Sequence, residues 1–304
     1  MARLSLIALV WGSVLIGDLW AEDEPEPRKV KVAAISFVPK KFDLAGNAQL
    51  LAQAFRDAAR AGAELAVAPE GVLEGYVVNE IISGTARAER MRDVAIAIDD
   101  PVIERLRRLA GELQMCLVFG FAERIGSDVF NSAVFIDHTG KICGKYHKMQ
   151  LAEGYSPTWW FNRLGTTSRA FDTPLGRCGV LICNDRWNAD LARIPVLDGA
   201  QFLVIPSYGS RSKEQDEAVL SRARENNVPI VEANVGVSLV VSGNQITQVD
   251  RQEVGITIGE ILVPGTRPSD PIAREVAEQQ FLRWRSTEMD LRFAKRASKT
   301  QPAK

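Results

Sequence analysis

The sequence predicts an α/β fold built around a mixed β-sheet, and two observations lead to this prediction. Short apolar segments typical of strands alternate with amphipathic segments typical of helices from residue 29 onward. Hairpins expected over 132–146 and 237–260 introduce antiparallel pairs, which argue against a purely parallel sheet. With 304 residues, of which 46% are hydrophobic, the chain can build one large core, and we expect a single domain.

The first part of the chain offers three strands and two helices. Strands are predicted over 30–37 and 65–68, separated by an amphipathic helix over 47–61. A second helix begins at 99–101, where Asp-Asp-Pro supplies a capping carboxylate and a proline suited to the first turn. A third strand follows over 115–121, so this part has the alternation of an α/β domain.

The second part of the chain continues the alternation with more antiparallel pairing. Strands over 132–136 and 141–146 are expected to pair around a turn at 137–140, and Gly243-Asn244 marks another turn. The remaining predicted elements are a helix over 188–198, a strand over 202–205, a helix near 214–226, strands over 228–233, 237–241 and 256–263, and a helix from 273 to 294.

The stretch 177–187 presents a cysteine where an apolar strand pattern stops. Cys183 follows Val-Leu-Ile at 180–182 and precedes Asn-Asp and a predicted helix. A strand-to-helix turn exposes a side chain above the sheet edge and directs the following backbone N–H groups at whatever that side chain attacks. We therefore interpret Cys183 as a nucleophile, and the alternative is a buried core cysteine.

A nucleophilic thiol needs a partner that takes its proton. The chain has two histidines, His138 and His147, and both precede Cys183, which excludes the papain-like order and argues against a histidine-rich zinc site. Glu70 and Lys148 are better candidates because each follows a predicted strand. Since Cys183 does so too, we expect the three side chains to meet at one edge of a sheet.

Three motifs in this order resemble the nitrilase, or carbon–nitrogen hydrolase, superfamily. They are Pro-Glu-Gly at 69–71, Gly-Lys-Tyr-His-Lys at 144–148, and Gly-Val-Leu-Ile-Cys-Asn-Asp at 179–185. The resemblance spans about residues 30 to 263. It implies a catalytic triad of Glu70, Lys148 and Cys183, a four-layer α-β-β-α sandwich with mixed sheets, and homodimers or larger homo-oligomers.

The expected chemistry gives each of these residues a physical reason. Glu70 takes the thiol proton, because a free cysteine with a pKa of about 8.5 is only a few per cent thiolate at neutral pH. The Cys183 sulfur attacks an amide carbonyl, and Lys148 with a backbone N–H stabilises the oxyanion. Many family members use a second glutamate to orient the lysine or the water, and Glu153 is the matching residue. We expect no cofactor and no metal.

Substrate contacts are expected from Asn184, Arg186, Trp187, Tyr155 and Trp159. Arg186 and Trp187 follow the nucleophile and could select an acidic or aromatic substrate, while Trp159 belongs to an aromatic cluster that either lines the pocket or packs. In the family an aromatic residue often follows the cysteine, so Asn184 is a departure. An Asp at position 185 resembles amidases and carbamoyl hydrolases, and it favours a small amide or ureido substrate over a nitrile.

Several functional classes stay open on the sequence alone. The first is a hydrolase of linear amides or carbamoyl compounds, with a nitrilase as a variant of the same chemistry. The second is a soluble acyltransferase that passes the acyl group to an amine or alcohol. The third is a non-catalytic binding relative, and the complete triad argues against it. The net charge of −1 gives no electrostatic reason to expect nucleic acid as a partner.

The N-terminus has the pattern of an export signal. Arg3 precedes an apolar run over 4–16, which is shorter than the roughly 20 residues of a membrane span, and Ala21 offers a small residue for cleavage. We expect a periplasmic or secreted protein without a stable membrane span after processing; an uncleaved anchor is the alternative. The segments are a signal peptide (1–21), an acidic proline-containing linker (22–28), a carbon–nitrogen hydrolase domain (29–294) and a disordered tail (295–304).

The cysteines are expected to stay reduced despite export. Cys178 and Cys183 lie five residues apart in one predicted strand, so their side chains should point to opposite faces of the sheet. We therefore predict no disulfide involving Cys183.

Overall fold

The computed structural model describes residues 26–156, 161–209 and 211–300 and contains two six-stranded mixed sheets. The first sheet has the strand order β12-β1-β2-β3-β4-β5. Its strands are β1 (Arg28–Ser36), β2 (Leu65–Val67), β3 (Cys116–Ile125), β4 (Asp128–Ile136), β5 (Ile142–His147) and β12 (Gly255–Val263). The strands β1, β2 and β3 run parallel, while β12 pairs antiparallel with β1, β4 with β3, and β5 with β4.

The second sheet has the same plan, with the order β11-β10-β9-β8-β7-β6. Its strands are β6 (Phe171–Thr173), β7 (Gly176–Val180), β8 (Phe202–Ser207), β9 (Ile230–Asn234), β10 (Ser238–Ser242) and β11 (Gln245–Asp250). The strands β7, β8 and β9 run parallel in its centre, and the outer pairs are antiparallel. Both sheets are therefore mixed, as the sequence predicts.

Helices and side-chain packing complete the sandwich. The helices are α1 (Leu44–Arg60), α2 (Val78–Ile82), α3 (Glu89–Val94), α4 (Pro101–Leu113), α5 (Ala189–Leu197), α6 (Lys213–Asn226) and α7 (Pro271–Thr300). Phe55 of α1 and Leu106 of α4 pack with Phe119 on one face of the first sheet. Val32 and Val118 on its other face join a second core with the second sheet. This alternation along the strands confirms the predicted α-β-β-α sandwich.

The structure corrects several predicted boundaries. The hairpin expected over 237–260 ends at Asp250. The next strand, β12, pairs with β1 in the first sheet and not with the second sheet. Residues 295–300, assigned to a disordered tail, continue helix α7. Strand β1 begins at Arg28, inside the predicted linker. The predicted signal peptide lies outside the described residues, and none of the described helices is long and apolar enough to cross a membrane.

Candidate active site

Glu70 lies in the turn that follows β2 and is completely buried. Its N–H donates to the Ser207 carbonyl of β8 (3.3 Å), which ties this turn to the second sheet. Gly120 of β3 makes room for the turn, since a Cβ there would lie 2.6 Å from the Cα of Glu70. Backbone packing thus fixes where the carboxylate enters the space between the sheets.

One oxygen of the Glu70 carboxylate is used for positioning and the other is not. Oε1 accepts from the Lys148 ammonium (2.7 Å) and from the Asn131 side-chain amide (2.6 Å). Oε2 is buried, and it has no hydrogen-bond partner among the described residues. A buried acceptor without a partner is costly, so the free oxygen marks a position suited to a proton-transfer partner.

Lys148 directly follows β5 and is held by its backbone. Its N–H donates to the Asn131 carbonyl (2.8 Å), and its carbonyl accepts from Gly165 (2.9 Å). Burial by itself would lower the pKa of this lysine, but the attraction of Glu70 and the nearby acidic groups outweighs burial and raises it. The ammonium therefore stays charged and can stabilise developing negative charge.

Cys183 begins a short 3-10 turn, Cys183–Trp187, three residues after the end of β7. Its φ of +48° is in the left-handed region, which is uncommon for a residue other than glycine and often marks a functional site. The thiol donates to the Tyr208 carbonyl (3.4 Å). Cys183 is thus outside the strand, and the predicted opposite-face argument against a bridge to Cys178 is wrong, although all four cysteines are free as predicted.

The Cys183 thiol is protonated at neutral pH. Burial raises its pKa to about 11, and the negative charge of Glu70 adds to this shift, while Lys148 and Arg186 act in the opposite direction. The thiolate is the reactive form, so this cysteine needs a base at the moment of attack.

Asp185 connects the Cys183 turn to β5. Its Oδ2 accepts from the Tyr146 hydroxyl (2.9 Å) and from the Ile182 N–H (3.0 Å). Tyr146 lies two residues before Lys148, so this contact couples the two predicted catalytic segments. Burial raises the pKa of Asp185 to about 7. The sequence indicates Asp185 by resemblance alone and does not predict this contact with Tyr146.

Arg186, a predicted substrate-binding residue, is buried in an ion pair inside the protein. Its guanidinium is buried and forms an ion pair with Glu232 and a hydrogen bond with the Ser207 hydroxyl (2.8 Å). Its other terminal nitrogen lies 3.9 Å from the Cys183 sulfur. The charge of Arg186 is therefore compensated inside the protein by Glu232, and the selection of an acidic substrate by Arg186 stays a prediction.

The other predicted site residues lie at different depths. Glu153 is buried, and burial raises its pKa against the opposing effect of Lys148, which places the two residues in the same electrostatic environment. Asn184 accepts from Gln150 through its carbonyl (3.3 Å), and the Tyr155 hydroxyl donates to the Asn162 carbonyl (2.9 Å). Trp187 is 44% exposed. Trp159 lies outside the described residues.

A pair of tyrosines next to the nucleophile was not predicted. Tyr76 and Tyr208 stack with ring centroids 4.1 Å apart, and the Tyr208 carbonyl accepts from the Cys183 thiol. Burial, with further contributions from Glu70, Glu153 and Cys183, raises the pKa of Tyr76 well above its ordinary value. The pair forms an aromatic wall beside these residues, and no local pattern links two tyrosines from separate loops.

Comparisons with known proteins identify the family and the relatives of this chain. The sequence profile of the carbon–nitrogen hydrolases matches residues 31–267. An N-carbamoylputrescine amidase from Arabidopsis thaliana is 29% identical over 227 residues, which are 74% of this chain and 74% of the relative. A citrullinase from Francisella tularensis is 29% identical over 218 residues, 68% of this chain and 73% of the relative.

The solved structure of an amidase from Nesterenkonia sp. has the same fold. It superposes with a TM-score of 0.64 over 77% of this chain and 91% of the amidase, at 22% sequence identity. Fold and family profile therefore agree over nearly all of the two-sheet sandwich, and the chain belongs to the carbon–nitrogen hydrolase family.

Proposed function

We propose that the protein hydrolyses a linear amide or carbamoyl compound through an acyl-thioester on Cys183. The arrangement of Glu70 supports this most strongly: one carboxylate oxygen is held by Lys148 and Asn131, while the other is buried and unpartnered. A base fixed in this way can receive a proton without first breaking a hydrogen bond. The protonated state of the Cys183 thiol supplies the reason for such a base.

Acylation requires two proton transfers, to and from Glu70, and replaces the substrate C–N bond by a C–S bond. Glu70 takes the thiol proton as the sulfur attacks the substrate carbonyl carbon, and the C–N bond of the tetrahedral intermediate breaks after Glu70 returns that proton to the leaving nitrogen. Negative charge on the carbonyl oxygen is stabilised by the Lys148 ammonium, a contribution of roughly 3–4 kcal/mol per donor in comparable sites. The products of this half-reaction are ammonia or an amine and the acyl-enzyme.

Deacylation repeats the sequence with water as the nucleophile. Glu70 accepts a proton from water as the oxygen attacks the thioester carbon, and the Cys183 sulfur leaves and is reprotonated. Glu153 shares the electrostatic environment of Lys148, which supports a role in holding the lysine or the water. The raised pKa of Glu153 agrees with a carboxyl that can exchange a proton during the cycle.

The substrate class rests on the relatives and on Asp185. Two relatives act, by their names, on ureido compounds, and the structural neighbour is an amidase. We therefore propose an amide or ureido substrate. A screen of amides, ureido acids and nitriles for ammonia release tests this, and a nitrile preference of about tenfold in kcat/KM over the matched amide would reverse the assignment. Transfer of the acyl group to an added amine would identify an acyltransferase instead.

The nucleophile has its own test. Cys183→Ala should abolish turnover while keeping the fold, and the intact mass of the wild type should show an acyl adduct with a slowly deacylating substrate. The exposed residue Glu217 offers a control, because Glu217→Gln should leave turnover unchanged. Retained hydrolysis in a well-folded Cys183→Ala would refute the mechanism.

We also propose export and self-association, which rest on the sequence pattern and the family resemblance. Intact mass of the protein isolated from its source should correspond to a chain that begins after Ala21. Light scattering should give a mass of at least two chains; a full-length mass or a monomer would contradict the respective proposal.

A further inference from the structure

Helix α7 contacts the catalytic region although it lies beyond the part of the chain that the family profile matches. That match ends at residue 267, and α7 spans Pro271–Thr300. The Arg285 guanidinium donates to two backbone carbonyls, those of Met149 (3.4 Å) and Gly165. Met149 directly follows Lys148, and the Gly165 N–H donates to the Lys148 carbonyl (2.9 Å). Arg285 thus bridges two backbone segments next to Lys148, one at Met149 and one at Gly165.

The same helix holds the loop over 149–156, which carries Glu153. The Leu151 carbonyl accepts from Arg292 (3.4 Å), and the Tyr155 N–H donates to the Met289 carbonyl (3.4 Å). Gly154 has a φ of +89°, and a Cβ there would lie 2.3 Å from the backbone nitrogen of Phe293. The helix therefore contacts the loop on both sides of Glu153, through the Arg292 side chain at Leu151 and through backbone contacts at Gly154 and Tyr155.

The rest of α7 is anchored to the sandwich independently of this loop. Arg274 forms an ion pair with Asp198 (2.6 Å), and Glu278 forms one with Arg169 (2.7 Å). Phe281 is fully buried in the core of the second sheet. A helix fixed at these points can act as a rigid support for the loop.

We propose that Arg285 is a positioning residue that places Lys148 and Glu153 for the reaction, which makes α7 part of the active site. The guanidinium suits this task because its Nη1 carries two hydrogens and donates charge-assisted hydrogen bonds to both carbonyls. All its hydrogen bonds among the described residues go to backbone carbonyls of the catalytic region. The inference rests on the proposed function in that it assigns Lys148 and Glu153 roles in hydrolysis.

Arg285→Ala in the full chain tests the proposal. We expect kcat to fall about 10- to 100-fold, with KM changed by less than about twofold, because a displacement near 1 Å in a catalytic group costs up to about 100-fold in rate. Amide hydrogen exchange in peptides covering 149–156 should become faster. Arg285→Lys, which keeps a charged donor on a shorter side chain, should show an intermediate kcat.

Arg274→Ala is the matched control, because it removes an arginine ion pair from the same helix away from the loop. It should lower the thermal midpoint but leave kcat and exchange over 149–156 unchanged. Wild-type kcat in Arg285→Ala, or an equal loss of kcat in Arg274→Ala, would overturn the proposal. If Arg285→Ala fails to fold, Arg285→Lys with unchanged kcat and exchange would overturn it.

The two proposals fail in different ways. Hydrolysis by Cys183→Ala would refute the proposed function whatever Arg285 does. Hydrogen exchange over 149–156 needs no substrate, so unchanged exchange in Arg285→Ala would refute the role of α7 while leaving the triad untouched.

Discussion

Two buried ion pairs lie close to the Cys183 sulfur, and they differ in how their carboxylates are used. Both oxygens of Glu232 accept hydrogen bonds: Oε1 from Arg186 and the Ser207 hydroxyl, Oε2 from Gln215 (3.1 Å). Glu70 is as deeply buried, but its Oε2 has no partner among the described residues.

We interpret the Glu232–Arg186 pair as structural and the Glu70–Lys148 pair as the one available for proton transfer. A carboxylate with both oxygens bonded holds its neighbours in place but has no site for another proton donor. A carboxylate with one oxygen bonded is oriented and still has an acceptor available. Both carboxylates are fully buried and each faces a cation, so the unpartnered Oε2 is the feature that distinguishes Glu70 from Glu232 among the described residues.

The largest expected effect comes from removing the free acceptor. Glu70→Gln keeps the side-chain shape but loses the base, and we expect kcat/KM to fall about 100- to 10,000-fold, the range for a general base. The Lys148 ammonium loses its counter-charge, so some stability is lost as well and rates should be normalised to folded protein. Glu217→Gln, on the exposed face of α6, is the control. Activity within tenfold of wild type would show that Glu70 is not the base.

The opposite pattern is expected for the structural pair. Glu232→Gln leaves the Arg186 charge buried and uncompensated, and breaking a buried pair typically costs about 3–5 kcal/mol in the free energy of unfolding. We expect this loss in denaturant unfolding, and we expect kcat at low temperature to stay within about tenfold of wild type.

Arg186 approaches Cys183, so a small effect on rate is compatible with this assignment. A loss of kcat as large as that of Glu70→Gln, with unchanged stability, would instead place Glu232 in the reaction.

The sequence was sufficient to predict the residues that local motifs define. Glu70, Lys148 and Cys183 each follow a strand pattern, and strand ends at a sheet edge bring such residues together. The four layers came from the resemblance, since periodicity alone cannot say how many sheets twelve strands form. Resemblance likewise pointed to Glu153, whose burial beside Lys148 agrees with that expectation.

Long-range pairing accounts for what the sequence did not predict. The ion pair of Arg186 with Glu232 was not predicted, because Glu232 lies 46 residues away and no motif links the two. The apolar run before Cys183 predicts a continuous strand, so the left-handed φ of Cys183 was not predicted. The contact of Gly154 with Phe293 joins a loop to a distant helix, and a glycine alone does not identify its neighbour.

The smallest expected effect is on the titration of the thiol, and it tests which charges Cys183 senses. Burial, aided by the negative charge of Glu70, raises its pKa to about 11 against the opposing effect of Lys148. Removing the Glu70 charge should therefore lower this pKa and increase the thiolate fraction at a given pH. The alkylation rate of Cys183 by iodoacetamide, followed by peptide mass, should rise at a pH lower by about one unit in Glu70→Gln. Glu217→Gln should match the wild type. Glu70→Gln would then lose hydrolysis while its Cys183 thiol became more reactive, because the variant lacks the proton acceptor and keeps the reactive sulfur. A slower or unshifted alkylation profile would mean that Glu70 lies too far from Cys183 to act on its proton.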